Sequence, residues 1–414
     1  MVPGIKLPVA PAAAIFLSAV IVLSCFTKQL APYLSYVDYT SAFNFSPNFT
    51  SPFNFSPNFT SPFNLSPAST TLSSPKCNIF RGDWVWDPDL PQYTNATCSY
   101  IYGNQNCLLF GRPDLDYLKW RWQPDECDLP RFDPYKFLQV VTNKTLAFVG
   151  DSLTRNHYQS LLCLLSKAAK PKDIVGNQYE LNKVIYYETY NFTIHIFWTP
   201  FLVRVEKDPD TKQNRLYLDE ADDKWLSKVH LFDYVLISGA NWFSTPAYLY
   251  ERGQLVGSMY IPLNFTSNLN NYYHHRMAFR TSLRALNDVN FRGKVIMRTL
   301  SPFSHWEGGE WDSGGDCKRT RPYGRNETVP VKEMEREFYK GQLEEFREAE
   351  KVAKARGAEM VLMDLTPAMR LRPDGHPSQY GHWPHEKRGK DCVHWCLPGP
   401  IDAWNDMLLH MLSN

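Results

Sequence analysis

Apolar positions along the chain fall into two alternating kinds. Short runs recur at residues 145–149 (TLAFV), 193–198 (TIHIFW), 233–238 (DYVLIS), 294–299 (KVIMRT) and 359–363 (EMVLM). Longer stretches with apolar residues at helical spacing occupy 153–166, 273–287, 331–356 and 400–412. A strand buried on both faces reads as an unbroken apolar run, whereas a covering helix shows one apolar stripe. The alternation therefore predicts an α/β fold: a parallel sheet over residues 145–414, with helices on both faces.

Upstream the pattern changes. Residues 76–144 hold four cysteines and several Pro and Trp without long periodic segments, which predicts a disulfide-stapled, loop-rich N-terminal lobe. Residues 27–75 are a stem: FNFSPNFTSP at 43–52 recurs unchanged at 53–62, and FNLSP opens a third copy at 63. A Pro/Ser/Asn repeat of this length cannot bury a core and its period is too short for a solenoid unit. Within residues 1–26, the run Val9–Phe26 carries no charge and is flanked by Lys6 and Lys28. Its length is near the lower limit for a bilayer span and no small-x-small cleavage site follows Cys25, so a single signal anchor with a cytosolic amino end is expected over a cleaved leader.

Composition narrows the function classes. The net charge is +1, which gives no general pull towards nucleic acid or anionic membranes, so no nucleic-acid partner is expected. Aromatics make up 14% of the chain, with 12 Trp and 23 Tyr. Most belong in the core, and a few on a groove would suit sugar rings. Sequons at Asn44, Asn48, Asn54, Asn58, Asn64, Asn95, Asn143, Asn191, Asn264 and Asn326 point to a lumenal address, although Pro follows the Ser at Asn44, Asn54 and Asn64. Apart from Cys25, eight cysteines remain, an even set that reads as up to four disulfides in an oxidising compartment, with 105 pairings open. Zinc on Cys392, His394 and Cys396 is the alternative, but no Cys-x-x-Cys partner exists elsewhere, and no metal is expected.

Two motifs carry chemistry. The first predicted strand ends at Gly150-Asp151-Ser152 and passes at once into a helical pattern, which puts Ser152 at the carboxyl edge of the sheet beside the unpaired N–H groups of a helix start. Alone, that describes a capping serine as well as a nucleophile. Near the carboxyl end, KDCVHWCLPGPIDAWN sets Asp391 three residues before His394, with a cysteine on each side of the histidine. An Asp at that spacing can accept Nδ1–H of the imidazole and leave Nε2 as a base. Together the two motifs supply nucleophile, base and orienting acid. Asp151 is assigned to loop structure.

The chain resembles the plant trichome-birefringence-like polysaccharide O-acetyltransferases, whose catalytic domain is of the SGNH/GDSL esterase type. The resemblance spans Cys77–Asn414 and rests on CNIFRGDWVWDPDLPQY, FGRPDLDYLKWRWQPDECDLPRFDP, FVGDSLTRN, RPDGHPSQYG and DCVHWCLPGPIDAWN in that order. It implies a three-layer SGNH-like sheet, and a Golgi-membrane protein of single-pass type II topology with its catalytic domain in the lumen. It also implies Ser152 as nucleophile, His394 as base and Asp391 as orienting acid. Gly239 and Asn241 of SGANW would serve the oxyanion with the Ser152 N–H, and Arg155 and Asn156 would line the site or pack the helix. Asp374 and His376 of RPDGHP are read as a substrate-binding or loop-ordering pair. The implied disulfides are Cys77–Cys127, Cys98–Cys163, Cys107–Cys396 and Cys317–Cys392. No bound cofactor is expected, only an acetyl donor, either acetyl-CoA or a carrier relayed by another membrane protein. The implied acceptor is a hemicellulose polysaccharide, with the xyloglucan branch leading because of MRLRPDGHPSQYG and CLPGPIDAWND. The alternatives are glucomannan as acceptor, an acetyl esterase using the same triad with water, and a non-catalytic polysaccharide binder.

Overall fold

The computed structural model of the chain describes residues 77–175 and 181–413. The apolar run Val9–Phe26 and the repeat stem lie outside them. Among the described residues no helix is long and apolar enough to cross a membrane.

The amino-terminal lobe is built on an antiparallel ribbon of β1 (Gly82–Trp86) and β2 (Trp120–Pro124). Two of its indoles are structural. Trp84 and Trp122 pack edge to face at 5.5 Å, and both are buried. The chain then enters α1 (Pro134–Val140), whose cap is legible afterwards in Asp133-Pro134: the Asp133 carboxylate accepts the N–H groups of Tyr135 and Lys136, and Pro sits where no N–H is needed. Counted with the lobe in the sequence reading, α1 in fact places Phe137 against Phe192 of the main sheet at 6.1 Å.

The main sheet begins with β3 (Thr145–Gly150), followed after the first covering helix by β4 (Lys172–Val175), β5 (Lys183–Tyr187) and β6 (Phe192–Trp198). A smaller antiparallel-to-mixed sheet comes next from β7 (Val203–Lys207) and β8 (Asn214–Ala221). The main sheet resumes with β9 (Tyr234–Ile237), and β10 (Ala247–Glu251) and β11 (Gln254–Met259) complete the smaller one. Finally β12 (Lys294–Arg298) and β13 (Met360–Met363) extend the main sheet. Its order is β13-β12-β9-β3-β6-β5-β4. All pairings from β13 to β6 are parallel, and β5 and β4 add an antiparallel edge. The five expected strands are the five parallel ones. β4 and β5 and the smaller sheet, of order β11-β10-β8-β7, are not among them: β5 (KVIYY) and β10 (AYLYE) hold short apolar runs, whereas β4, β7 and β8 interleave charged residues.

The remaining helices are α2 (Ser152–Leu165), α3 (Tyr273–Asp288), α4 (Glu333–Ala355), the short α5 (Thr366–Arg370) and α6 (Asp402–Ser413). Successive side chains of β3 point to opposite faces. Leu146 and Phe148 join one core with Leu161 of α2 and Trp404 and Leu408 of α6. Ala147 and Val149 join a second core with Phe279 and Leu283 of α3 and Phe346 and Ala349 of α4. This is a three-layer α/β/α arrangement, and it explains why β3 is apolar at every inner position. The four disulfides form as the resemblance implies: Cys77–Cys127, Cys98–Cys163, Cys107–Cys396 and Cys317–Cys392. Both cysteines flanking His394 are spent in them, so the zinc alternative loses its thiolates.

Two carboxylates on α6 bind the lobe to this core. Asp402 accepts the hydroxyls of Tyr93 and Ser160, and Asp406 accepts the N–H of Phe132. Burial pushes Asp402 up to about 6 and Asp406 up to about 7, the latter with the neighbouring Asp402 charge adding to the effect. A carboxyl raised on folding contributes stability that is complete below its unfolded value and is lost as pH rises through its folded value. Asp406→Asn keeps the acceptor for Phe132 and removes the titration. Melting curves are expected to show little difference between parent and variant at about pH 4, and a gain for the variant that grows towards about pH 8. Parallel pH dependences would contradict the assignment.

Candidate active site

The turn from β3 into α2 is shaped by one glycine. A Cβ on Gly150 would lie 2.1 Å from the Ser238 carbonyl oxygen and 2.4 Å from Thr154 Oγ1, so only glycine allows β9 to approach so closely. Asp151 is the N-cap of α2. Its carboxylate accepts the N–H of Leu153 at 3.0 Å and that of Ala240 at 3.2 Å, strapping the helix start to the loop after β9. Ser152 is the first residue of the helix and is buried, at the carboxyl edge of the sheet.

One turn along the same face, Asn156 is fully buried and makes two reciprocal bonds with the backbone of Trp395. It accepts the Trp395 N–H at 2.8 Å and donates to the Trp395 carbonyl at 3.2 Å. Residues four apart on a helix are neighbours, so this bridge brings the segment carrying His394 to the turn that begins with Ser152. Disulfides from Cys392 and Cys396 grip the same segment on both sides of the histidine.

His394 meets its aspartate. Nδ1 is 2.8 Å from Asp391 Oδ2, and Asp391 Oδ1 accepts the N–H groups of Val393 and His394 at 3.1 and 2.9 Å. Burial on its own would raise this carboxyl. The His394 ring and these N–H groups more than offset that and hold it well below the usual range. The His394 side chain is 18% exposed, yet its Nε2 is buried and has no hydrogen-bond partner among the described residues. A buried ring nitrogen without a partner is costly unless it is kept for use.

The other expected residues are more scattered in role. Of the SGANW segment, Gly239 gives its carbonyl to Gln342, the Ala240 N–H is taken by Asp151, and the Asn241 Oδ1 is buried without a partner. The Arg155 guanidinium lies over Trp198 at 6.0 Å, and Trp198 packs edge to face on Trp242 at 5.6 Å. Asp374 and His376 do not pair with each other. The Asp374 carboxylate is held by Arg372 at 2.8 and 2.9 Å in a fully buried ion pair. His376 Nδ1 instead lies 2.8 Å from the His394 carbonyl oxygen.

Three contributors escaped the sequence reading. Asn104, in a single 3-10 turn of the lobe, donates to Asp391 Oδ2 and lies 3.1 Å from His394 Nδ1. Arg112, also of the lobe, donates to the carbonyls of Asp374 and His376 at 2.6 and 2.8 Å. His305, in the loop after β12, lies 2.7 Å from His376. Asn104 and His305 sit in no local pattern, since these partners are more than 70 residues away, and Arg112, although paired with Asp114 two residues on, meets the Asp374–His376 turn from far along the chain.

Comparison with known proteins places the chain in a family. The sequence pattern of the PC-esterases, a GDSL/SGNH-like acyl-esterase family found in Pmr5 and Cas1p, matches residues 129–411, and the PMR5 N-terminal domain matches residues 75–128. Protein trichome birefringence-like 19 of Arabidopsis thaliana is 49% identical over 352 residues, covering 82% of each chain. Protein trichome birefringence-like 20 of the same plant is 48% identical over 350 residues, covering 82% of this chain and 72% of its own. Xyloglucan O-acetyltransferase 4 of Populus trichocarpa is 43% identical over 343 residues, covering 81% of each. A GDS turn at the edge of a parallel sheet, a lobe cross-linked to it and these matches along nearly all of the described residues lead to one conclusion: the chain belongs to the PC-esterase family of GDSL/SGNH-like acyl-esterases, alongside the trichome birefringence-like proteins.

Proposed function

We propose that the protein is a polysaccharide O-acetyltransferase that works through an acetyl-serine on Ser152, with xyloglucan as the acceptor. The observation that carries the proposal is the state of His394: Nδ1 fixed by Asp391, Nε2 buried and unpartnered, and the whole segment bridged to the first turn of α2 through Asn156. In the first half-reaction His394 Nε2 takes the Ser152 hydroxyl proton as Oγ bonds to the acetyl carbon, and the proton then goes to the departing donor group. In the second, a sugar hydroxyl gives its proton to Nε2 and attacks the acetyl carbon, and the proton returns to Ser152 Oγ as the ester leaves. Asp391 keeps the ring in one tautomer and stabilises the imidazolium between these transfers.

The Ser152 N–H at the start of α2, with Gly239 and Asn241 of SGANW, is assigned to the oxyanion, each such donor being worth about 3 kcal/mol. The donor is acetyl-CoA or a carrier relayed by another membrane protein, and nothing in the scheme needs a bound cofactor. The names of relatives such as the Populus xyloglucan acetyltransferase support the acceptor. Anchoring through Val9–Phe26 with the folded part in the Golgi lumen belongs to the same proposal, supported by four disulfides that persist in an oxidising compartment.

Ser152→Ala and His394→Ala are each expected to lower transfer by a factor on the order of 10⁴, and Asp391→Asn by a similar factor through the wrong tautomer. Labelled acetyl should appear on xyloglucan oligosaccharide faster than free acetate accumulates, as read by mass spectrometry against a glucomannan control. Acetate release with no acetylated oligosaccharide would make the protein an esterase instead.

Asn104→Ala removes an N–H from Asp391 without touching the reacting atoms. The expected loss in kcat is about tenfold with little change in KM, because the ring is less well held. An unchanged kcat would remove Asn104 from the account.

A further inference from the structure

His305 and His376 form a chain between two carbonyl groups. His376 Nδ1 lies 2.8 Å from the His394 carbonyl oxygen, and His305 Nε2 lies 3.0 Å from the Arg370 carbonyl oxygen. Between them His305 Nδ1 and His376 Nε2 are 2.7 Å apart. A carbonyl oxygen only accepts, so both outer nitrogens must carry a proton. The inner contact needs a third, since two lone pairs facing each other at that separation would repel. Two neutral imidazoles carry only two N–H protons between them. The observed geometry is satisfied when the pair holds one more.

The surroundings match that count. Both imidazoles are buried, and the His376 ring stacks on Trp395 at 4.0 Å. Glu335 of α4, Asp374 of the adjacent turn and Asp391 of the His394 loop act on the pair with negative charge, and Arg370 of α5 and Arg112 of the lobe with positive charge. Asp374 is itself paired with Arg372 and Arg112 with Asp114, so four carboxylates stand against three guanidiniums around the two rings and leave one negative charge. His394 meets the pair through its carbonyl, not its ring. Burial holds both rings below the usual imidazole range, and at His376 the neighbouring His305 ring adds to it, so a shared proton is held only by its hydrogen bonds and by these carboxylates and belongs to the acidic side of the pH range.

We propose that His305 and His376 share a single extra proton and that this cationic pair positions His394 by holding its backbone carbonyl. The pair titrates as one unit. When pH rises and the proton leaves, one of the three hydrogen bonds must open, and the restraint on the His394 backbone slackens. His305 and His376 are positioning residues, since neither touches a reacting atom.

The proton can be read directly. Full-length protein carrying ring-15N histidine, with the two residues assigned through His305→Asn and His376→Asn, should show three of their four ring nitrogens protonated and a low-field proton between the rings at acidic pH. The pair should lose that one proton in a single step seen by both rings on raising the pH. Two protonated and two bare nitrogens throughout the folded range would overturn the shared proton.

The positioning role rests on the proposed Ser152–His394 chemistry and is read from activity. His376→Ala should lower kcat by about tenfold with KM nearly unchanged, and His376→Asn, whose amide donates to the carbonyl without titrating, should restore most of it. Full activity in His376→Ala alongside an inactive Ser152→Ala overturns the positioning role alone. Full activity in Ser152→Ala overturns the serine mechanism and leaves the shared proton to be judged by the ring spectra.

Discussion

Two hydrogen bonds between the Asn156 carboxamide and the Trp395 backbone are the constraint on which the site depends. Ser152 and His394 come from opposite ends of the folded chain, and a nucleophile and base must stay within hydrogen-bond reach to react. Asn156 is rooted in α2, which is packed on the sheet, and Trp395 is rooted in the core through its indole N–H to Ser301. Both groups of the amide are matched and buried. Losing either would leave a backbone group unmet at a cost of about 1–3 kcal/mol.

Around this bridge, the lobe is part of the site as well as a cover for it. Asn104 reaches the Asp391–His394 pair, Arg112 grips the turn at Asp374 and His376, and the Cys107–Cys396 disulfide closes a loop of 289 residues between lobe and His394 segment. The Leu397 N–H bonds the Gln105 carbonyl beside it. These contacts hold the Asp391 carboxylate, His394 Nδ1 and the backbone around them, and leave His394 Nε2 without a partner among the described residues.

The central layers were legible because burial leaves a direct trace in the sequence. Leu146, Ala147, Phe148 and Val149 alternate between two cores, so the strand is apolar at every position and easy to recognise. β7 and β8 bury little beyond Val203, Leu216, Tyr217 and Leu218, and Arg204, Glu206 and Glu220 meet in ion pairs at their exposed positions, so they carry no such trace. Asp391 and His394 were readable because their contact is local. Asn104 and His305 were not, because a side chain whose partner lies far along the chain obeys no spacing rule. Asp374 and His376 show the converse: their nearness in sequence suggested a pair, and the turn directs them to Arg372 and to the His394 carbonyl. The disulfide partners followed from family resemblance, since the cysteine count alone left them open.

The account stands on Ser152 carrying the acetyl group. Brief exposure of the protein to labelled acetyl donor without acceptor, followed by proteolysis and mass spectrometry, tests this most directly. The account predicts label on the peptide holding Ser152, discharged on adding xyloglucan oligosaccharide. Label absent from that peptide while acetylated oligosaccharide still forms would contradict it.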